Sequence, residues 1–285
     1  MIMHNTKLVL ACSACLVIGW AVGQRNVTAV RAEPAPAKAP PLPQAARLGG
    51  ALYMASGEYR ACCTQVYRCA LRRLDEFLKS ARPAAPAVVM DLDETVLDNS
   101  AFQTFLFQNN LEYSDELWAE FEKNHPQDVA LVPGARDFIL GAGAMGVRVI
   151  FVSNRFDANG TEAALRRLGL GLALDGGGLY LRAEKGPTDK SARREAVAAK
   201  YNVVMFFGDN LRDFSEAFAA KRPPADAPIE AHRQAIAGRD AAVDQASCHW
   251  GIDWFVLPNP VYGEWEKLLG PRPVEVLRPT SMARP

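Results

Sequence analysis

The chain has 285 residues, 49% of them hydrophobic, with 32 Lys and Arg set against 32 Asp and Glu. That length buries one full core, or one core with a modest appendage. Balanced charge argues against an extended basic groove, and so against a nucleic acid polymer or an acidic lipid surface as a charge-driven partner.

The N-terminus differs in kind from the rest. Lys7 precedes an apolar run, Leu8 to Gly23, which contains Cys12 and Cys15 and ends before Gln24-Arg25. The run is a little short for a membrane span of about 20 residues and suits a secretory signal. Ala21 and Gly23, or Val30 and Ala32, offer small-residue cleavage sites; a lipidated cysteine or an uncleaved anchor are the alternatives. Residues 1–32 therefore read as a signal peptide or membrane anchor. Residues 33–47 read as a linker, kept extended by Pro34, Pro36, Pro40, Pro41 and Pro43. Export is expected, to the periplasm or to the membrane of the cell envelope. Export permits disulfides. Cys62, Cys63 and Cys69 share one predicted helix, with Cys62 and Cys69 roughly 10 Å apart along it and out of bridging reach. At most one of them pairs with Cys248; buried free thiols are the alternative.

Leu52, Tyr59, Cys62, Cys63, Val66, Leu74, Phe77 and Leu78 recur at helical spacing, predicting one long amphipathic helix near 48–80. Pro83 and Pro86 stop it, and Ala87 to Met90 reads as a buried strand. From Asn99 to about Val132 the pattern is helical and aromatic, with Phe102, Phe105, Phe107, Tyr113, Trp118 and Phe121. A helix at about 134–144 follows Pro133. Val147 to Val152 reads as a second buried strand, and Thr161 as the N-cap of a helix to about Leu168. Gly169-Leu170-Gly171 superficially resembles a dinucleotide loop but follows a helix instead of a strand. Further strands are expected at 179–181, 203–207 and 254–257, with a helix at about 188–200. Residues 222–246, rich in Ala, Pro and Asp, read as a peripheral excursion. Alternating strands and helices predict an α/β fold, a Rossmann-like parallel sheet with helices on both faces. Ligands of such sheets sit at the carboxyl ends of the strands.

Three predicted strands end in chemistry. Asp91 and Asp93 follow the first, Ser153 and Asn154 the second, and Asp209 and Asp213 the third; Lys190 lies on the helix between the last two. Two buried carboxylates side by side need a cation or a shared proton. Each pair alone also fits a solvated acidic loop, a turn or a helix cap. Their joint occurrence in this order, each at the end of a predicted strand or on the helix between two of them, is a strong signal of one functional site. His125, His232 and His249 form no phosphohistidine motif.

Here the chain resembles the haloacid dehalogenase-like (HAD-like) phosphohydrolases, and within them the class C acid phosphatases or lipoprotein 5′-nucleotidase family. The resemblance rests on Asp91-Leu92-Asp93-Glu94-Thr95-Val96-Leu97-Asp98-Asn99-Ser100, Lys190-Ser191-Ala192-Arg193, Gly208-Asp209-Asn210-Leu211-Arg212-Asp213-Phe214 and Pro258-Asn259-Pro260-Val261-Tyr262-Gly263-Glu264-Trp265. It implies a phosphatase domain over about 48–275, a small helical cap at about 99–132, and a tail at 276–285. It implies further that Asp91 forms an aspartyl-phosphate, while Asp93 protonates the leaving oxygen and then activates water. Asp91, the Asp93 carbonyl and Asp209 would hold Mg²⁺, with Asp213 assisting. Ser153 and the Asn154 backbone would donate to the phosphoryl group, and Lys190 would neutralise it. Phe105 falls where the lipoprotein family stacks an aromatic, more typically Trp, on a nucleobase, and Tyr262 would supply the opposite face. The implied substrates are phosphomonoesters, nucleoside 5′-monophosphates among them. A tethered ligand-binding protein without turnover, or a phosphotransferase, are the alternative functions on the same fold.

Overall fold

The structure, a computed structural model, describes residues 44–277 except 82, together with 282. The predicted leader and nearly all of the predicted linker lie outside the described residues. Among the described residues no helix is long and apolar enough to cross a membrane.

The expected long first helix is two helices, α1 (Gln44–Met54) and α2 (Gly57–Ala81), with α1 starting inside the predicted linker. The break falls at Ser56, whose Oγ accepts the Tyr59 backbone N–H at 3.1 Å and so starts the second helix. β1 (Pro86–Met90) follows. It is the central strand of a five-stranded sheet whose other members are β4 (Arg148–Ser153), β5 (Leu179–Leu181), β6 (Asn202–Gly208) and β7 (Trp254–Val256). The order is β5-β4-β1-β6-β7, parallel throughout. β1 and β4 are buried along nearly their whole length, as strands covered on both faces must be.

Successive side chains divide between the two faces. Val88, Met90, Phe151 and Phe207 join the larger cluster, beneath α2 and α5 (Ala135–Ala144). Ala87, Val89, Ile150 and Val152 meet Val197 of α7 (Ser191–Ala198) on the other face. Tyr67 of α2, Phe138 of α5 and Phe207 of β6 pack together with centroids 4.5–5.7 Å apart, Tyr67 stacked on Phe207 and Phe138 tilted against both. The Tyr67 hydroxyl continues to the Thr95 carbonyl at 2.5 Å, tying this core to the loop after β1.

β2 (Leu97–Asp98) pairs antiparallel with β3 (Ala130–Leu131), and between them lie α3 (Ser100–Gln108) and α4 (Asp115–Asn124). The expected helical segment consists of two short helices. Ser114 caps the second by accepting the Leu117 N–H at 3.2 Å. Phe102, Trp118 and Phe121 pack at 5.2–5.6 Å between centroids and hold the pair together.

α4 packs on α6 (Ala158–Arg167), which starts earlier than expected. Asp157, and not Thr161, caps it, accepting the Gly160 N–H at 2.6 Å; Thr161 is buried within the first turn. Glu122 is buried at this junction, with Oε1 accepting the Phe156 N–H at 3.3 Å and Oε2 without a hydrogen-bond partner. Burial, opposed by Arg155 and reinforced by Asp93, pushes its carboxyl up to about 8. A carboxyl with a raised folded-state pKa favours folding while protonated and loses stability as pH rises from about 4.5 towards 8. Glu122→Gln is therefore expected to raise stability by roughly 2 kcal/mol at pH 8.5 and little at pH 4. Urea unfolding at the two pH values checks this; equal effects at both would refute it.

The predicted excursion contains a regular helix, α8 (Ile229–Gln245), of which only His232 is buried. A helix with so little apolar face carries no periodic signal. The last helix among the described residues is the short α9 (Pro273–Val276). The four cysteines among the described residues are unpaired, and they are not a uniformly buried set: Cys63 is buried, while Cys69 and Cys248 are exposed.

Candidate active site

Order β5-β4-β1-β6-β7 makes the chain turn to opposite sides of β1, which opens a crevice at the carboxyl ends of the central strands. A cavity of about 480 Å³ lies there, lined by Asp91, Asp93, Asn154, Lys190, Asp209, Asp213 and Tyr262 among others.

Asp91 directly follows β1, its N–H donating to the Phe207 carbonyl at 2.9 Å. Lys190, at the start of α7, places Nζ 2.5 Å from Asp91 Oδ1 and 2.7 Å from Asp213 Oδ1. All three side chains are buried. Asp213 is held by reciprocal capping, its Oδ2 accepting the Asn210 N–H at 3.0 Å while Asn210 Oδ1 accepts from Arg212 N at 3.2 Å. Gly208 permits this fold-back, since a side chain there would meet the Asp213 carboxylate at 2.3–2.7 Å. Asp209 is fixed by Asn259 Nδ2 at 2.8 Å and by the Thr95 hydroxyl at 3.3 Å.

One carboxylate oxygen from each of Asp91, Asp209 and Asp213 lies within 4.8 Å of the other two. Three acidic groups thus face one ammonium. Burial and then Asp213 and Asp91 raise the Asp209 pKa well above the carboxylate range. Burial also raises Asp91, with Lys190 opposing it and Asp213 and Asp93 adding to it. Lys190 goes the other way for its type: burial disfavours its charge, but Asp213 and Asp91 overcome that and hold it protonated. The cluster is short of positive charge and rich in hard oxygen donors, which fits a divalent cation.

Asp93 has its own support. Asn99 Nδ2 and Arg155 Nε donate to Asp93 Oδ1 at 2.9 and 2.8 Å. Glu94 adopts the left-handed backbone conformation (φ 54°) and turns inward, accepting from Asn99 and from the Tyr262 hydroxyl. Burial, with Asp93 close by, pushes the Glu94 carboxyl up to about 8. This anchors the hydroxyl end of Tyr262, a residue whose side chain also lines the cavity.

The remaining expected residues are placed less uniformly. Asn154 lines the cavity, with Oδ1 held by Arg193 at 2.7 Å and Nδ2 donating to the Thr188 carbonyl at 3.1 Å. Ser153 is fully buried, is not among the lining residues, and its Oγ accepts the Arg155 N–H at 3.1 Å. Phe105 also does not line the cavity and is 43% exposed. The aromatic wall is formed instead by Phe102, Tyr113, Trp118 and Tyr262. Residue spacing did not single out Arg155, Asn99, Glu94, Asn259 or Arg193. Each stands in or directly beside a motif, but their work is to hold other side chains, which spacing alone does not register.

Two comparisons agree with this geometry. The sequence matches the family profile described as "HAD superfamily, subfamily IIIB (Acid phosphatase)" over residues 2–265. The fold is similar to that of the class C acid phosphatase from Bacillus anthracis with tungstate bound. That similarity has a TM-score of 0.67 and 31% identity over 79% of this chain and 89% of that one. A second structure of the Bacillus anthracis class C acid phosphatase matches with a TM-score of 0.64 and 30% identity, over the same shares of the two chains. A buried Asp91 bound to Lys190 at the central strand end, a fold matched over most of its length and a family profile spanning residues 2–265 lead to one assignment: the chain belongs to the HAD superfamily acid phosphatases of subfamily IIIB, and is a phosphomonoesterase.

Proposed function

We propose that this phosphatase is exported and Mg²⁺-dependent, and that it hydrolyses phosphomonoesters, nucleoside 5′-monophosphates among them, through an aspartyl-phosphate on Asp91. The observation that carries the reading is the contact of Asp91 with Lys190 at 2.5 Å inside the three-carboxylate cluster. A carboxylate attacks a phosphate dianion only where the combined negative charge is offset. Lys190 lies beside Asp91, where it neutralises the equatorial phosphoryl oxygens. Asp91, Asp209 and Asp213, with the Asp93 carbonyl, would hold the cation, which when bound supplies charge neutralisation and orients the phosphoryl group. Asp93 passes a proton to the leaving oxygen and later takes one from the hydrolytic water. The bound tungstate of the Bacillus anthracis relative, a tetrahedral oxyanion like phosphate, supports a phosphoryl-binding site.

The aromatic lining of Phe102, Tyr113, Trp118 and Tyr262 supports leaving groups with a flat ring, because stacking accepts every nucleobase. In this reading Phe105 has no stacking role. The apolar run before Gln24 supports export. A phosphate-release screen over nucleoside 5′-monophosphates, sugar phosphates and phosphopeptides, with and without EDTA, tests the proposal. Release from nucleotides is expected to fall at least about tenfold with EDTA and to return with Mg²⁺. Indifference to EDTA would remove the metal, and inert nucleotides would remove the substrate class. Recovery of the activity in the cytoplasmic fraction of the native host would remove export.

A further inference from the structure

We propose that Arg155 is a positioning residue that selects which oxygen of Asp93 handles the proton. Arg155 follows β4 and is the largest fully buried side chain among the described residues. Its Nε donates to Asp93 Oδ1 at 2.8 Å, and its Nη2 donates to Asn99 Oδ1 at 2.8 Å. That second bond fixes the orientation of the Asn99 amide, because the end that accepts from a guanidinium must be the oxygen. Asn99 Nδ2 is thereby turned to Asp93 Oδ1, at 2.9 Å. Both donors converge on one oxygen of the carboxyl group.

The consequence is chemical. An oxygen that accepts two hydrogen bonds, one of them from a cation, is a poor place for a proton. Oδ2, to which neither of these donors is directed, is therefore the oxygen left to face the leaving group and pass it a proton. Asp93 is part of the cavity lining, and its side chain keeps 19% exposure, so the group reaches the substrate space. Arg155 is itself held in place: its guanidinium lies 5.3 Å from the centroid of the Trp118 ring, which also lines the cavity. In the first half-reaction the Asp91–phosphorus bond forms while the bond from phosphorus to the leaving oxygen breaks. The electron pair stays on that oxygen, which takes the Asp93 Oδ2 proton and departs as an alcohol. A rotated Asp93 would leave an alkoxide without its proton.

This inference rests on the proposed acid role of Asp93, and a leaving-group comparison separates the two. An alkoxide such as the ribose 5′-oxygen of AMP needs the proton; p-nitrophenolate leaves without it. The value of kcat/KM covers steps up to release of the first product. Its ratio between AMP and p-nitrophenyl phosphate in one sample also cancels any unfolded fraction. Arg155→Met is expected to lower kcat/KM for AMP by about 100-fold and for p-nitrophenyl phosphate by no more than about threefold. Arg155→Lys keeps the charge and one donor, and is expected to give a split of about tenfold while retaining more folded protein. Asp93→Asn is the reference and must show the same selective loss. If Asp93→Asn shows it and neither Arg155 variant does, Arg155 is only structural and the inference is overturned. If Asp93→Asn lowers both substrates equally, the acid role of Asp93 falls, and the inference falls with it.

Discussion

Asp91→Asn is expected to abolish turnover of p-nitrophenyl phosphate, lowering kcat by roughly four orders of magnitude or more. The amide keeps the size and shape of the carboxylate, so the fold and the cavity persist. It cannot form the acyl-phosphate, and it removes one of the three acidic groups within 4.8 Å. Lys190 would then keep Asp213, at 2.7 Å, as its remaining carboxylate. Acid quench of the wild-type protein during turnover is expected to trap a mass increase of one phosphoryl group, absent from the variant. Undiminished turnover by Asp91→Asn would rule out the covalent route. A trapped adduct on the variant would place the nucleophile elsewhere.

Lys190→Met is expected to fail twice. The ammonium at 2.5 Å from Asp91 and 2.7 Å from Asp213 is buried, and its removal leaves two buried carboxylates without their partner. Breaking a buried pair from one side costs about 3–5 kcal/mol. Losing a charge aimed at the transferring phosphoryl group costs about 10²–10³ in kcat. Urea unfolding and phosphate release measure the two losses separately. Saturating Mg²⁺ is expected to recover part of the stability, because a cation among the same carboxylates offsets the missing charge. Unchanged stability would mean that the carboxylates do not depend on Lys190.

Asp209 and Asp213 illustrate what short-range pattern conveys. An acidic residue at the end of a buried strand, followed one turn later by a second, is a local arrangement whose geometry follows from strand and 3₁₀-turn dimensions. The same holds for Asp91 and Asp93. Lys190 alone also fits a surface charge beside Arg193 and Arg194, and it is legible only through the resemblance of Lys190-Ser191-Ala192-Arg193 to the family. α8 was not legible, since its helical residues bury only His232 and leave no apolar stripe to read. The stop at Ser56 was equally hidden, because the apolar residues on either side of it keep one spacing.

The aromatic segment shows the same limit inside the site. Phe102 and Phe105 lie one turn apart on α3, and their sequence environments are nearly equivalent. Which of them meets the cavity depends on how α3 rolls against Trp118 and Phe121, a packing choice made between elements. Arg155 carries this furthest, since its three partners come from the loop after β1, the start of the cap and α4. By itself the sequence determined the alternation of strands and helices that makes a parallel α/β sheet and the carboxylates at the strand ends, because periodicity places the strands and charge marks their ends. Only the tertiary structure decided how Asp93 is held, which aromatics form the wall and where Glu122 is buried, because those depend on distances between segments that no local pattern encodes.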